Sequence, residues 1–428
     1  MENSFSSFYD LAEKIAQHGG RLYIVGGAVR DLMLGNTFND VDLCVTGLSL
    51  EELEKITHVS RVQGSSFPVI IINGCEVALA RTERKSGKGH KGFEINTDNN
   101  ITIEQDLLRR DVTINSMAID VLSNKLIDPY GGIEDLNNQT LRHTSSAFVE
   151  DPLRVYRVAR FASKLGYSVA KETIELMGRM KDELVSVTAE RVMTELRKAL
   201  TTDYPERFFE VLNEAGVLDV HYKEIADLVG VEQPIEYHPE GDAFTHTMQV
   251  LKKVAKFTPN ATIGSDEELT RFCALVHDLG KGLTPRDEWP HHYGHEERGI
   301  EAVIKLCNRI KAPNVFKKAG KLTSKLHMKA GKFKSLRPGS KVKLISEIDA
   351  SRSLSFKGME IIARVDSNDN SIEFANLAEK LMSIGATEEM VDKCTKDGVL
   401  DYEKLKDMIM QKRVEFLKVM QKKDVIDR

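Results

Sequence analysis

Strand and turn signals crowd into the first third of this chain and then stop. Leu22–Val25, Val41–Val45, Pro68–Ile72 and Val77–Ala80 are short apolar runs. Asn73-Gly74 separates the last two, and an Asn-Gly pair between apolar runs is the strongest short hairpin signal. Met117–Leu122 and Leu126–Ile127 flank a turn at Ser123-Asn124. From about residue 145 the spacing changes. Leu153, Val155, Val158, Phe161, Ala162 and Leu165 recur with helical period, as do the apolar residues of Glu190–Leu200 and Arg207–Ala215. The pattern predicts an α/β head with a small mixed sheet, followed by an all-α remainder.

At 428 residues the chain is long enough for two to four domains. A net charge of -5 places any surface for a polyanion in a local patch. The five cysteines are odd in number and form no CxxC pair, which reads as reduced thiols. The N-terminal stretch does not read as a secretory signal, and no apolar run reaches membrane-spanning length. The expected compartment is the cytoplasm, with no membrane partner.

YIVGGAVRDLMLG sets Gly26-Gly27 between a strand and a helix. Glycines there let the backbone approach a phosphate, which the helix N-terminus and Arg30 would also attract. Alone, the pair also reads as an ordinary turn. Asp40-Val41-Asp42 follows within about fifteen residues, and residues two apart on a strand share a face. Two carboxylates side by side repel unless a divalent cation bridges them, as Mg²⁺ does with carboxylates and substrate phosphates. The combination points to two-metal phosphoryl transfer.

Arg109, Arg110 and Asp111 precede an apolar segment. Arginine forks suit phosphates and Asp111 could accept from a ribose hydroxyl, although a salt-bridged helix face also explains Arg109. In EDPLRVYRVAR, Asp151 and Pro152 read as an N-cap and first helical residue. Arg154, Arg157 and Arg160 then share a face. An aspartate and an arginine together could read base edges by hydrogen bonding.

These motifs, with DPYGGIEDL, LRHTSSAFVEDPLRVYRVARF and SVTAERVMTELRKAL in order, resemble those of the bacterial class II tRNA nucleotidyltransferases, the CCA-adding enzymes, over about residues 21–200. The resemblance implies that Asp40 and Asp42 hold catalytic Mg²⁺. It implies that Gly27, Arg30 and Arg110 contact the triphosphate and Asp111 the ribose. Asp151 and Arg154 would pair with the base of CTP and then ATP, supported by Arg157 and Arg160. Glu190, Arg191 and Glu195 would brace the base-reading helix. Arg81, Glu83, Arg84 and Lys85 match a loop that helps the switch from C to A addition. The implied partner is a tRNA 3′ end, and a homodimer is compatible with the family. Poly(A) polymerases share the head motifs and are the close alternative; a repair hydrolase with an inactive head is a third.

Further along, His246 and the doublet His277-Asp278 lie in apolar helical stretches. A buried His-Asp doublet is costly unless paired or metal-bound. The pattern resembles the HD-domain metal phosphohydrolases, with Asp366 as the last ligand and Asp349 as runner-up. His295 and His327 could be phosphate contacts or extra ligands; Met328 after His327 leaves no second His-Asp doublet. One bacterial branch of CCA-adding enzymes carries such a domain. The resemblance implies hydrolysis of 2′,3′-cyclic phosphates, 2′-nucleotides or phosphate monoesters with Ni²⁺, Mg²⁺ or Mn²⁺. Between Lys317 and Lys343 every charged residue is basic, which suits either solvent or a tRNA backbone. The expected organisation is a nucleotidyltransferase head (1–142), a helical neck and body (143–235), an HD domain (236–370) and a helical tail (371–428).

Overall fold

The computed structural model describes residues 6–37, 41–59, 69–72, 74–85, 93–96 and 98–426. The chain forms two compact units: Met1–Val192 with Val211–Val217, and Met193–Glu210 with Leu218–Arg428. No helix among the described residues is long and apolar enough to cross a membrane.

The first unit holds strands β1 (Arg21–Val25), β2 (Asp42–Thr46), β3 (Val69–Ile72), β4 (Cys75–Leu79), β5 (Thr82–Lys85), β6 (Phe93–Asn96), β7 (Ala118–Asp120) and β8 (Leu126–Ile127). Six of them make one mixed sheet in the order β3-β4-β2-β1-β7-β8, and β5 pairs with β6 separately. Strand β2 runs antiparallel to β1 and parallel to β4. Strand alternation sorts the side chains. Leu22, Ile24, Leu43, Val45 and Val77 pack on one face with Ala12, Ile15 and Val29. Tyr23, Val25, Cys44 and Ala118 pack on the other with Ile103 and Leu107. Asp42 is two residues from Cys44 and pairs across with Val25, which puts it on this second face at the strand's start.

Beyond the head, helices dominate, as the change of period predicts. The exceptions are two-residue ladders, Thr140–Leu141 with Ser168–Val169 and Thr395–Lys396 with Val399–Leu400, too short to leave an alternating pattern. The helix Leu153–Leu165 is closed by Gly166 in the left-handed conformation, whose N–H donates to Ala162. Its N-cap position is Pro152 rather than Asp151, but the Asp151 carboxylate still accepts the N–H of Leu153 at 3.0 Å, the bond a cap makes.

In the second unit, buried Arg271 donates to the carbonyls of Leu200, Thr202, Ala255 and Thr258, gathering chain that would otherwise leave carbonyls unpaired. Arg197 grips buried Glu268 through two hydrogen bonds of 2.7 and 2.8 Å. Part of the basic segment is structural: Lys325 pairs with Glu347, and the Lys341 ammonium lies 5.1 Å from the Phe333 ring centroid.

Candidate active sites

In the first unit a cleft of about 580 Å³ opens beside the Gly26-Gly27 corner. Nine basic and three acidic residues line it among those described, so it favours a polyanion. Gly26 has φ 74° and ψ −132°, a conformation that side chains avoid. A Cβ there would lie 2.9 Å from Arg110 Nη1 and 3.7 Å from Asp42 Oδ2. Glycine thus lets an arginine and the strand-end aspartate meet at the corner. Asp40 lies outside the described residues, so of the expected pair only Asp42 is placed.

The arginines are held by buried acceptors. A capping box of Thr102 and Gln105 starts the helix Ile103–Leu108, which carries Asp106. Buried Asp106 accepts from Arg109 at 2.7 Å and from Arg110 at 3.1 Å. Burial pushes its carboxyl up, but these two guanidinium groups win and hold it below the ordinary range. Arg30, itself buried, donates to Asn115 at 2.6 Å and to Asp31 at 2.9 Å. Asp111 has both oxygens engaged. Oδ1 accepts from Val112 N at 2.9 Å and Asn115 at 3.3 Å, and Oδ2 accepts from Arg157 at 2.7 Å.

The helix Leu153–Leu165 forms another wall. Arg160 lies over Phe161 at 4.4 Å, with Arg157 and Arg30 within 5.6 and 5.9 Å of the same ring. This aromatic floor lets cations gather more closely than water alone would allow. Burial, then Arg30 and Arg160, lowers the pKa of Lys164. An entering anion would relieve that crowding. Asp151 accepts from Arg191 at 3.1 Å, and Arg154 donates to the carbonyl of Ala147 at 2.6 Å. Arg81 reaches the cleft, and its carbonyl accepts from Arg109. Glu83, Arg84 and Lys85 lie on β5, with side chains outside the described set. Glu195 falls in the other unit. Sequence reasoning missed Asp106, Asn115 and the Phe161 floor. The i,i+3 and i,i+4 spacing of Asp106 to the two arginines was the available signal.

The second unit brings together His246 on the helix Ala243–Phe257, Asp366 at the end of Phe356–Asp366, and His277 and Asp278 in the turn between Asp266–Val276 and Leu279–Leu283. His246 Nε2 lies 3.1 Å from Asp366 Oδ1 and 3.6 Å from Asp278 Oδ2. His277 Nε2 is 3.3 Å from each of the same two atoms. Ligands bonded at about 2.1 Å to one ion stand about 3.0–3.4 Å apart, so this spacing fits a divalent cation. His277 Nδ1 donates to the carbonyl of Ala274 at 2.7 Å, and His246 Nδ1 is 2.6 Å from Glu240 Oε1, which turns both Nε2 atoms inward. His277 Nε2 and both Asp278 oxygens are buried without a well-aligned hydrogen bond, although Lys281 Nζ lies 2.6 Å from Asp278 Oδ2. Burial disfavours charge on these groups, yet each raises or lowers its neighbour: both aspartates fall well below the carboxylate range and His277 rises to about 10. Asp349, the runner-up, is exposed on the helix Pro338–Ser351. Glu240, Lys281 and Gln233, which accepts from Lys281 at 2.7 Å, were not foreseen.

Residues 22–142 match the family described as Poly A polymerase head domain. Residues 166–228 match Probable RNA and SrmB-binding site of polymerase A, and residues 243–353 match HD domain. The Multifunctional CCA protein of Mannheimia succiniciproducens is 46% identical over 337 residues, 77% of this chain and 79% of that protein. Its counterpart in Haemophilus influenzae is 45% identical over 339 residues, 78% of this chain and 80% of that one. Among solved structures, a CCA-adding enzyme with ATP shares the fold at TM-score 0.66 and 20% identity, covering 96% of this chain and 90% of that one. The Thermotoga maritima CCA-adding enzyme complexed with tRNA does so at TM-score 0.62 and 17% identity, covering 96% and 90%. Its poly(A)-polymerase-type head, its HD segment and this degree of identity establish that the chain belongs to the family of multifunctional CCA proteins.

Proposed function

We propose that this protein adds CCA to the 3′ end of tRNA, using CTP and then ATP, without a nucleic-acid template. The observation that carries the reading is the cleft, which an excess of arginines lines together with Asp42 and the glycine corner. The tRNA 3′ hydroxyl gives up its proton to solvent as its oxygen attacks the α-phosphorus of the nucleotide. The P–O bond to pyrophosphate breaks, and pyrophosphate leaves with the electron pair. Arg30 and Arg110, each oriented by a buried acceptor, bind the triphosphate oxygens. Asp111 fixes Arg157 on the side of the pocket that would take the ribose. Asp151 and Arg154 orient the base, with Arg191 steadying Asp151. Arg160 over Phe161 closes the pocket wall. Asp42, joined by Asp40, would hold Mg²⁺, which when bound supplies charge neutralisation at the reacting phosphate by two-metal chemistry. This work belongs to a head over 1–142 and a helical body over 143–235.

The HD segment, proposed over 236–370 with a tail over 371–428, adds a phosphohydrolase acting on 2′,3′-cyclic phosphates, 2′-nucleotides or phosphate monoesters. The supporting observation is the spacing of His246, His277, Asp278 and Asp366, which suits one divalent ion: Ni²⁺, Mg²⁺ or Mn²⁺.

Incubation with tRNA lacking CCA, plus labelled CTP and ATP, tests the first activity. Two C and a single A are expected. Long A tails would indicate a poly(A) polymerase instead, and no incorporation an inactive head. Hydrolysis of 2′,3′-cAMP with added Ni²⁺ or Mg²⁺ tests the second. No hydrolysis, with His277→Ala behaving like wild type, would refute it.

A further inference from the structure

The loop between the turn Leu279–Leu283 and the helix His295–Arg309 leaves the histidine–aspartate cluster and comes back to it. It starts just beyond Asp278 and ends at His295, whose Nε2 lies 3.2 Å from Asp278 Oδ1. Between those ends the chain reads TPRDEWPHHYG, and its side chains divide by burial. His292 is buried, and its Nε2 donates to the carbonyl of Glu232 at 2.8 Å. That bond ties the loop to the segment carrying Glu240 and His238, both of which stand against the ring of His246. The flanking His291 and Tyr293 are exposed instead. Tyr293 is 77% exposed and stacks on His291, with ring centroids 5.7 Å apart and planes 21° apart. The carbonyl of Tyr293 accepts from Arg298 at 2.8 Å, and Arg298 is itself gripped by Glu288 at 3.0 Å. The ring pair is therefore held before anything binds.

Two flat rings stacked in water bury little surface and leave an outer face for a third flat ring. Every nucleobase offers such a face, and stacking on an aromatic side chain does not depend on which base it is. Tyr293 is two residues from His295, so their Cα atoms lie within about 7 Å of each other. In a ribonucleotide the base is one sugar ring away from a phosphate on the 2′ or 3′ oxygen. A phosphoester held at the cluster thus has its base within reach of the stacked pair. The geometry points to a base platform: Tyr293, backed by His291, holds the nucleobase of the ester whose phosphate sits at the cluster. The substrate class narrows from phosphate esters in general to ribonucleotide esters, with little preference among the bases. This inference rests on the proposed hydrolase reading of the cluster.

The test assays the full chain, with Ni²⁺ or Mg²⁺, on 2′,3′-cAMP and on 1-O-methylribose 2′,3′-cyclic phosphate, which has no base. The wild-type protein should favour the base-bearing ester about tenfold in kcat/KM. Tyr293→Ser should abolish that preference, chiefly through KM, whereas Tyr293→Phe keeps the ring and should retain it. Because the readout is a ratio between two esters, a variant that merely loses metal or folds in part does not mimic the result. Equal kcat/KM for the two esters in the wild type would overturn the platform and leave the hydrolase standing. A preference untouched by Tyr293→Ser would do the same. Turnover of neither ester would remove the hydrolase reading and the platform with it.

Discussion

At Asp111 burial pushes the carboxyl pKa up, but the Arg157 guanidinium outweighs it and holds the group at about 2, against 3.8 in water. A depressed carboxylate pKa stabilises the fold above the unfolded value and loses that stability as pH falls through the folded one. The difference corresponds to about 2 kcal/mol at neutral pH. Asp111→Asn should therefore lower the stability of its unit by that amount in urea unfolding at pH 7. The gap should be unchanged at pH 6 and narrow by about half near pH 3. A gap independent of pH would show that Arg157 contributes no charge-based stability. Glu240 makes a second residue-level case. It holds the ring of His246 by Nδ1, so Glu240→Ala should weaken metal binding about 10–100-fold, measured by competition with a chelator. Both residues show what chain order conceals. Asp111 was visible as a candidate because it adjoins two arginines, but its partner Arg157 lies 46 residues away. Glu240 had no signal, because nothing in a loop glutamate announces which imidazole it will meet.

Helices and strands were more legible than their partners, since each element carries its own period. The helix Leu153–Leu165 follows the spacing of its apolar residues, and β2 begins one residue into the apolar run that starts at Val41. Close approach between elements was not legible. Gly280 sits in the short turn Leu279–Leu283, where a Cβ would meet the carbonyl oxygen of His295 at 1.9 Å. That contact brings the turn after Asp278 against the start of the helix bearing His295. Gly280→Ala must push the two apart. It should cost about 1–3 kcal/mol of stability by overpacking. It should also reduce metal retained after gel filtration, while leaving nucleotide incorporation intact. Full metal retention would mean that the turn and helix adjust without moving their ligands.

The two proposed chemistries lie in separate compact units, one holding Asp42 and the arginine cleft, the other the histidine–aspartate cluster. Single changes should therefore divide them. Asp42→Ala should abolish CMP and AMP incorporation with hydrolysis of 2′,3′-cAMP unchanged, and His277→Ala should do the reverse. Incorporation lost in both variants would show that the activities depend on each other. Across the whole molecule, local pattern sufficed for the six strands of the main sheet, the glycine corner, the arginine-rich helix and the kinds of ligand, because periodicity and motif chemistry act within a few turns of chain. Folding in three dimensions chose Asp366 over Asp349, drew His295 and His327 onto Asp278, and set Asp106 beneath two arginines. His246 and Asp366 are 120 residues apart and yet 3.1 Å from each other. Such convergence depends on how helices pack, and packing joins residues whose separation along the chain carries no trace of the contact.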